Sequence, residues 1–494
     1  MRSSLHPHQE HALAKLRVAL SAGYRRAIIQ APTGAGKTIL AAAIAEGALN
    51  KGRRVLFVVP FLSLVDQTVA AFAAQGIASV GVMQAQHPMT DAEQPVQVAS
   101  LQTLQRRRLP RADIVMIDEA HRWYRFLDKW MGMPEWQCVP FVGLSATPWT
   151  KGLGKHYDHL IVAATTGGLI DEGYLSPFRA YAPAHPDLSG VQIVAGDFHE
   201  GQLSQAMSQP VLVADTVTTW LRLGEDRPTL CFAVDRAHAR KLADEFEAAG
   251  VPTGYVDAHT PADERERIGR RFREGQIKIV CNVYCLTTGV DWDVRCIILA
   301  RPTKSEILYT QIIGRGLRIA DGKTDCLVLD HSDSTLRLGF VTDIHHDTLD
   351  DGKQRQNSAK ARQKAPPLPK ECASCSYLKP AGVHLCPCCG FEPERQSSIE
   401  ECDGELIQLN GKRKDRADAT NHSHQDGYSM LLWVQRDRGY KPGYAAAKYK
   451  GRYGKWPRGL MDFAKAPDAV FLNWLKSQEI AFYKRRQKEA QRAA

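Results

Sequence analysis

A short apolar run, Ala27–Gln30, leads into Ala31-Pro32-Thr33-Gly34-Ala35-Gly36-Lys37-Thr38 and then into a helical stretch. Strand, glycine-rich loop and helix in that order are the setting of a Walker A loop. Gly34 and Gly36 let backbone N–H groups close around a phosphate, and the positive end of the following helix adds to the attraction. Pro32, Thr33 and Ala35 complete the loop. Lys37 would meet the β- and γ-phosphates of ATP, and the Thr38 hydroxyl would hold magnesium. Ala31 stands where the generic pattern has glycine. The competing reading is a glycine-rich turn with an incidental lysine.

A second apolar run, Ile114–Ile117, ends in Asp118-Glu119-Ala120-His121. Carboxylates at the carboxyl end of a parallel strand lie where open α/β sheets bind their ligands. Asp118 can share the magnesium with Thr38, and Glu119 can orient and deprotonate the attacking water. Alone, this tetrapeptide reads better as an ordinary acidic helix start. Beside a phosphate loop it reads as catalytic.

Five of the 12 cysteines fall between Cys372 and Cys389. Cys372-x-x-Cys375 and Cys386-x-x-Cys389 form two knuckles that can close a tetrahedral structural zinc site. Cys388 could replace a neighbour. So small a ribbon cannot hold a core without metal. It would present a surface to DNA or to a protein. Six further cysteines, Cys138 to Cys326, sit mostly in apolar runs and read as buried thiols.

Charge is unevenly spread. Residues 431–494 hold 15 Lys+Arg against 5 Asp+Glu, a balance of +10 that equals the net charge of the whole chain. Lysines and arginines alternate with rings from Tyr440 to Trp456, so phosphates and unpaired bases are the expected partners. Part of these rings would instead form a small helical core, given the helical spacing in Phe463–Trp474.

The elements that position these residues follow from periodicity. Length of 494 residues suggests about two to four domains. Short β-branched runs alternate with amphipathic stretches through residues 1–165 and again through 210–345, which predicts two tandem α/β domains with parallel sheets. Residues 166–209 read as a connector or insertion, 346–371 as a basic, proline-containing linker, and 372–392 as the ribbon. A polar linker over 393–427 then leads into a mainly helical basic module over 428–494. No apolar run approaches the roughly 20 residues that cross a bilayer, and the first residues lack the apolar stretch of a signal peptide. A cytoplasmic chain without membrane partners is therefore expected.

Together these motifs resemble the superfamily 2 helicases of DEAH type. Further segments match that family in order: Pro7-His8-Gln9, Ser145-Ala146-Thr147, Thr287-Thr288-Gly289-Val290-Asp291 and Gln311-Ile312-Ile313-Gly314-Arg315-Gly316-Leu317-Arg318. The resemblance implies two RecA-like domains, adenine reading by Gln9, and coupling of hydrolysis to movement by Ser145, Thr147 and Gln311. It also places Gly289 and Asp291 at the nucleotide, with Arg315 and Arg318 as arginines contributed across the cleft. Pro60–Leu64 and Ser100–Thr103 resemble backbone-contacting loops. A helicase core followed by a four-cysteine ribbon and a basic tail is similar to the RadD-type DNA-repair helicases of bacteria and phages. The expectation is an ATP-dependent DNA helicase or translocase, acting on single-stranded or branched DNA in repair or recombination. RNA is the alternative partner, and the ribbon or tail could also dock a protein. Rival readings are an RNA helicase, a restriction-system motor subunit, and a scaffold clamped by ATP.

Overall fold

The computed structural model describes residues 4–84, 86–287, 292–353, 367–393 and 423–478. The chain divides into two compact units, Met1–Arg395 and Gln396–Ala494.

The first unit opens with a seven-stranded sheet. Its strands are β1 (Arg26–Gln30), β2 (Val55–Val59), β3 (Val80–Val82), β4 (Val96–Ser100), β5 (Ile114–Asp118), β6 (Phe141–Ser145) and β7 (His159–Val162), in the order β3-β4-β2-β5-β6-β1-β7. All neighbours are parallel. The sequence Val-Leu-Phe-Val-Val of β2 is buried throughout, as a strand covered on both faces must be. Helix Lys37–Leu49 makes the crossover from β1 to β2, which run parallel in the same sheet with β5 and β6 between them. Strand order then decides function. β6 lies between β1 and β5, so the loops after Gln30, Asp118 and Ser145 emerge side by side at the carboxyl edge.

A second parallel sheet has six strands: β8 (Phe178–Tyr181), then, beyond a small β9–β10 hairpin (Ile193–Val194 and Asp197–Phe198), β11 (Thr229–Phe232), β12 (Thr253–Val256), β13 (Ile279–Asn282), β14 (Cys296–Leu299) and β15 (Cys326–Asp330). Their order is β12-β13-β11-β14-β15-β8. Here the expected boundaries need correction. Phe178–Tyr181 lies inside the segment read as a connector, yet it pairs in parallel with β15. Arg179 breaks its apolar pattern, because the guanidinium turns outward to Asp325 at 2.5 Å and Glu225 at 2.8 Å. Helix Glu200–Met207 also belongs to the second domain, burying Leu203 and Met207 beside Val234.

The expected linker from residue 346 begins too early as well. Residues 346–352 run back over the first domain. Leu349 packs on its core, Gly152 N–H donates to the Asp350 carboxylate at 2.9 Å, and Gly154 N–H donates to the Asp350 carbonyl at 2.7 Å. Residues 354–366 of that linker lie outside the described residues.

The ribbon folds around an antiparallel pair, β16 (Lys370–Glu371) and β17 (Leu378–Lys379), and lies along the edge strand β8. Ala182 N–H donates to Ser376 O at 2.9 Å, and the Tyr181 and Tyr377 rings meet edge to face at 5.3 Å. Leu378 joins the main core. The ribbon therefore caps an otherwise open sheet edge.

The second unit contains helices His424–Asp437 and Tyr444–Tyr453, packed around Leu431, Val434, Tyr449, Phe471 and Leu475. The first helix starts before residue 428, with the Ser423 hydroxyl accepting from Asp426 N–H at 3.1 Å as its cap. Residues 394–422 and 479–494 lie outside the described residues. Among those described, no helix is long and apolar enough to cross a membrane.

Candidate active site

A cleft of about 2180 Å³ lies between the two sheets of the first unit, lined by the phosphate loop, Asp118, Glu119, Gln311, Arg315 and Arg318. The loop follows β1 and enters helix Lys37–Leu49 through Gly36 at φ 75°, after Gly34 at φ 90°. Both values suit glycine and strain other residues. Pro32, Thr33 and Ala35 are buried, whereas Gly34 and Thr38 face solvent. Lys37 Nζ donates to Ala31 O at 3.4 Å, inside its own loop. Desolvation lowers the Lys37 pKa, opposed by Glu119 and Asp118.

Gln9 lies beneath this loop. Its side chain donates to Ala35 O at 3.0 Å and accepts from His6 N–H at 3.0 Å, while His8 Nε2 lies 3.1 Å from the same Ala35 carbonyl. A Cβ at Gly36 would fall 2.4 Å from Gln9 Nε2, so glycine there permits the contact. Beside Gln9, the Tyr174 ring stands 4.5 Å from His6 and 5.2 Å from His8 and forms an aromatic wall of the cleft. Sequence reasoning missed Tyr174, which lies in an irregular turn far along the chain and belongs to no motif.

Asp118 ends β5, and its carboxylate accepts from Glu119 N–H at 2.9 Å. Burial and then the adjacent Glu119 carboxylate raise the Asp118 pKa to about 7, against Lys37 and Arg315. Glu119 is held at φ 48°, an uncommon backbone for a residue with a side chain. Its buried Oε2 makes no hydrogen bond, although His121 Nδ1 lies 3.3 Å away. Two adjacent carboxylates, one with an orphaned oxygen, fit a divalent cation, and Thr38 lines the same cleft.

His121 links the domains. Gln311 Nε2 can only donate, so His121 Nε2, 3.2 Å away, accepts and the ring proton sits on Nδ1, facing Ser145 Oγ at 3.0 Å. Ser145 Oγ also accepts from Thr147 N–H at 3.0 Å, and Gln311 Nε2 lies 3.4 Å from Thr147 Oγ1. Burial pushes the His121 pKa down to about 4, so it is neutral here. Ser145, Thr147 and Gln311, expected as a coupling group, are thus brought together, with His121 as an unforeseen centre.

Arg315 lies on helix Glu306–Gly316 of the second domain, buried, with its Nε donating to Thr287 O at 2.9 Å. Arg318 follows one turn on, its Cγ beside Gly34. Thr288, Gly289, Val290 and Asp291 lie outside the described residues. Of the loops expected on nucleic acid, Ser100 is fully buried, and its hydroxyl caps helix Leu101–Leu104 by accepting from Thr103 N–H. The Phe61 ring lies under the Arg122 guanidinium at 5.0 Å.

In the ribbon, Cys372, Cys375, Cys386 and Cys389 place four sulfurs within 4.8 Å of one another. Cys372–Cys389 and Cys375–Cys386 separations are 3.7 and 3.8 Å. A tetrahedron of sulfurs about 2.3 Å from zinc has edges of about 3.8 Å, so the cluster fits that metal. Cys388 points elsewhere, to the Tyr181 hydroxyl at 3.3 Å.

Residues 2–150 match the family "Type III restriction enzyme, res subunit", and residues 213–320 match "Helicase conserved C-terminal domain". A 51.5 kDa protein of a Lactococcus phage is 30% identical over 392 residues, covering 77% of this chain and 82% of the phage protein. A Saccharomyces cerevisiae protein named for ATP-dependent helicase activity, IRC3, is 29% identical over 66% of this chain, which spans 51% of IRC3. The type I restriction enzyme EcoKI endonuclease subunit of Escherichia coli is 25% identical over 65% of this chain and only 34% of its own length. The chain belongs to the superfamily 2 helicases, as an ATPase dependent on nucleic acid and related to restriction-enzyme subunits and IRC3.

Proposed function

We propose that the chain is an ATP-driven DNA translocase or helicase that remodels single-stranded or branched DNA in repair or recombination. The observation that carries this reading is the convergence of Lys37, Asp118, Glu119, Arg315 and Arg318 on one cleft between two RecA-like sheets. Lys37 and the loop amides hold the phosphates, with Gln9 bracing the loop and Tyr174 offering a face to the adenine. Glu119 orients water and takes its proton. Arg315 and Arg318 stabilise charge on the transferring phosphoryl group only when the domains close, an effect worth about 10³–10⁵ in rate. Closure is sensed through Gln311, His121 and Ser145, which ties hydrolysis to movement along the strand. Magnesium held by Thr38 and Asp118 would neutralise charge on the phosphates. Zinc held by the four ribbon cysteines has a structural role.

DNA is favoured over RNA by the kinship with a restriction subunit, and a ribbon and basic tail after the motor support a RadD-like role. The same kinship supports a second reading, the motor of a restriction system. ATP hydrolysis measured in parallel with single-stranded, duplex and forked DNA and with RNA tests the proposal. Stimulation by RNA alone would overturn it, and stimulation confined to duplex DNA would favour the restriction motor.

A further inference from the structure

We propose that the first domain carries a second nucleic-acid surface, away from the ATP cleft, where Arg106, Arg107, Arg108 and Arg111 grip the backbone of a duplex arm. This rests on the nucleic-acid reading above and adds a place and a substrate geometry to it.

The four arginines occupy six consecutive positions in the connection from helix Leu101–Leu104 to β5, and all are exposed. Among the described residues, none of their guanidinium groups meets an acid or a carbonyl. Neighbouring arginines on the same edge are engaged, Arg53 with Asp113 at 3.2 Å and Arg54 with Ala92 O at 2.8 Å. The run therefore does no structural work that the fold reveals. Like charges so close together are tolerated by counterions, whose release on meeting phosphates favours binding. Guanidinium forks also match phosphate oxygens in pairs.

Shape points the same way. Arg107, Arg108 and Arg111 line a groove of about 690 Å³ with Phe126 and Trp136 in its wall. Two carboxylates line it as well. Asp113 already accepts from Arg54 N–H at 2.8 Å and pairs with Arg53, which leaves Glu135 against three arginines.

Position supplies the substrate. Arg54 and Asp113 immediately precede β2 and β5, so the groove opens at the amino edge of the sheet, while the ATP cleft opens at the carboxyl edge. A five-residue strand separates the edges, about 17 Å at roughly 3.3 Å per residue. A flexible single strand lying on the carboxyl edge must be ordered nucleotide by nucleotide to cross to the groove. A duplex arm is stiff over about 150 base pairs, so about five base pairs at 3.4 Å carry it across without that ordering.

The test compares the full chain with Arg106→Ala/Arg107→Ala/Arg108→Ala and with the corresponding triple lysine variant. Binding is titrated against salt on a short single strand of about 10 nucleotides and on a fork with an arm of about 20 base pairs. On the fork, the alanine variant should lower the log–log salt slope by about 2 to 3, at roughly 0.9 for each phosphate neutralised. The short-strand slope, the melting temperature and the maximal ATPase rate should stay unchanged, and lysine should restore most of the fork slope. An unchanged fork slope would overturn the proposal and leave this face solvated or docked on an acidic protein. Equal reductions on both substrates would overturn the separation from the cleft. A native protein with no nucleic-acid stimulation of ATPase would instead sink the reading on which it rests.

Discussion

Gly314 of the second domain lies against Thr33 of the phosphate loop: a Cβ built at Gly314 would stand 2.6 Å from the Thr33 Cβ. The helix that carries Gln311 and Arg315 thus rests directly on the loop that grips ATP, and only a bare backbone allows that approach. Gly314→Ala should push the helix back and move Arg315 off its target. A displacement near 1 Å costs on the order of 10² in rate. Turnover should fall by about that factor with nucleotide binding kept, as single-turnover hydrolysis and nucleotide titration would show. Full turnover in the variant would mean that the contact is slack.

Lys37→Ala and Glu119→Gln should fail differently. Removing the Lys37 ammonium takes away the cation that meets the phosphates, so nucleotide binding itself should weaken. Glu119→Gln keeps size and polarity but cannot take a proton, so ATP should bind while hydrolysis slows by roughly 10²–10⁴. Turnover stimulated by nucleic acid and surviving in both variants would remove these residues from the catalytic assignment.

Acid should loosen the second domain through His238. This ring, in the first turn of helix Arg236–Ala248, is buried and accepts from Val234 N–H through Nδ1 at 3.3 Å. Burial lowers its pKa to about 4. An unfolded chain takes up the proton near pH 6.5, so between about 6.5 and 4 it binds more protons than the folded one and stability rises with pH. The contribution is complete above about 6.5 and disappears as pH falls towards 4, roughly 3 kcal/mol in all. His238→Gln should narrow the gap in melting temperature between about pH 7.5 and pH 5. A gap as wide as in the native chain would point to other groups.

How much of this is legible in the sequence depends on whether a residue acts locally. The phosphate loop and Asp118–Glu119 follow strands that short apolar runs already mark, so order and spacing suffice. Strand β8 is hidden because Arg179 turns out to Asp325 and interrupts its pattern. The return of Asp350 to Gly152 and Gly154 has no periodicity at all, since two backbone N–H groups make it. Tyr174 beside His6 and the centring of the coupling group on His121 depend on which loops the strand order brings together. Ser100 reads as a nucleic-acid contact for a related reason, because a serine after a strand is also a helix cap.

Zinc should matter to more than the ribbon. Cys372→Ser or Cys375→Ser should remove about one metal per chain, whereas Cys388→Ser should keep it, because Cys388 faces Tyr181 instead of the cluster. Metal supplies about 10–16 kcal/mol to such a site. Tyr377 and Leu378 cover the β8 edge and the core beneath it, so removing the metal should also quicken amide exchange in Phe178–Tyr181. Metal analysis and hydrogen exchange read the two effects separately. Cys388→Ser protein without zinc would overturn the ligand set.

The basic second unit should separate phosphate binding from base stacking. Its rings divide in two. Tyr449 and Phe471 are buried, and the Arg452 guanidinium lies 4.1 Å over Trp474, so these belong to the small core. Trp456 is 49% exposed with Lys450 Nζ 4.5 Å above its ring, which pairs a cation with an open aromatic face. Trp456→Ala should therefore weaken single-strand binding by about 1–3 kcal/mol and leave the salt slope alone. Deleting the chain from Ser423 onward should do the reverse to the slope, flattening it by roughly 0.7 for each phosphate that the unit neutralises on a single strand. The maximal ATPase rate at saturating DNA should hardly change, because Lys37, Glu119 and Arg315 all lie in the other unit. Salt titrations of both variants, read beside the ATPase maximum, distinguish the two contributions. An unchanged slope after the deletion would assign this face to a protein partner rather than to DNA.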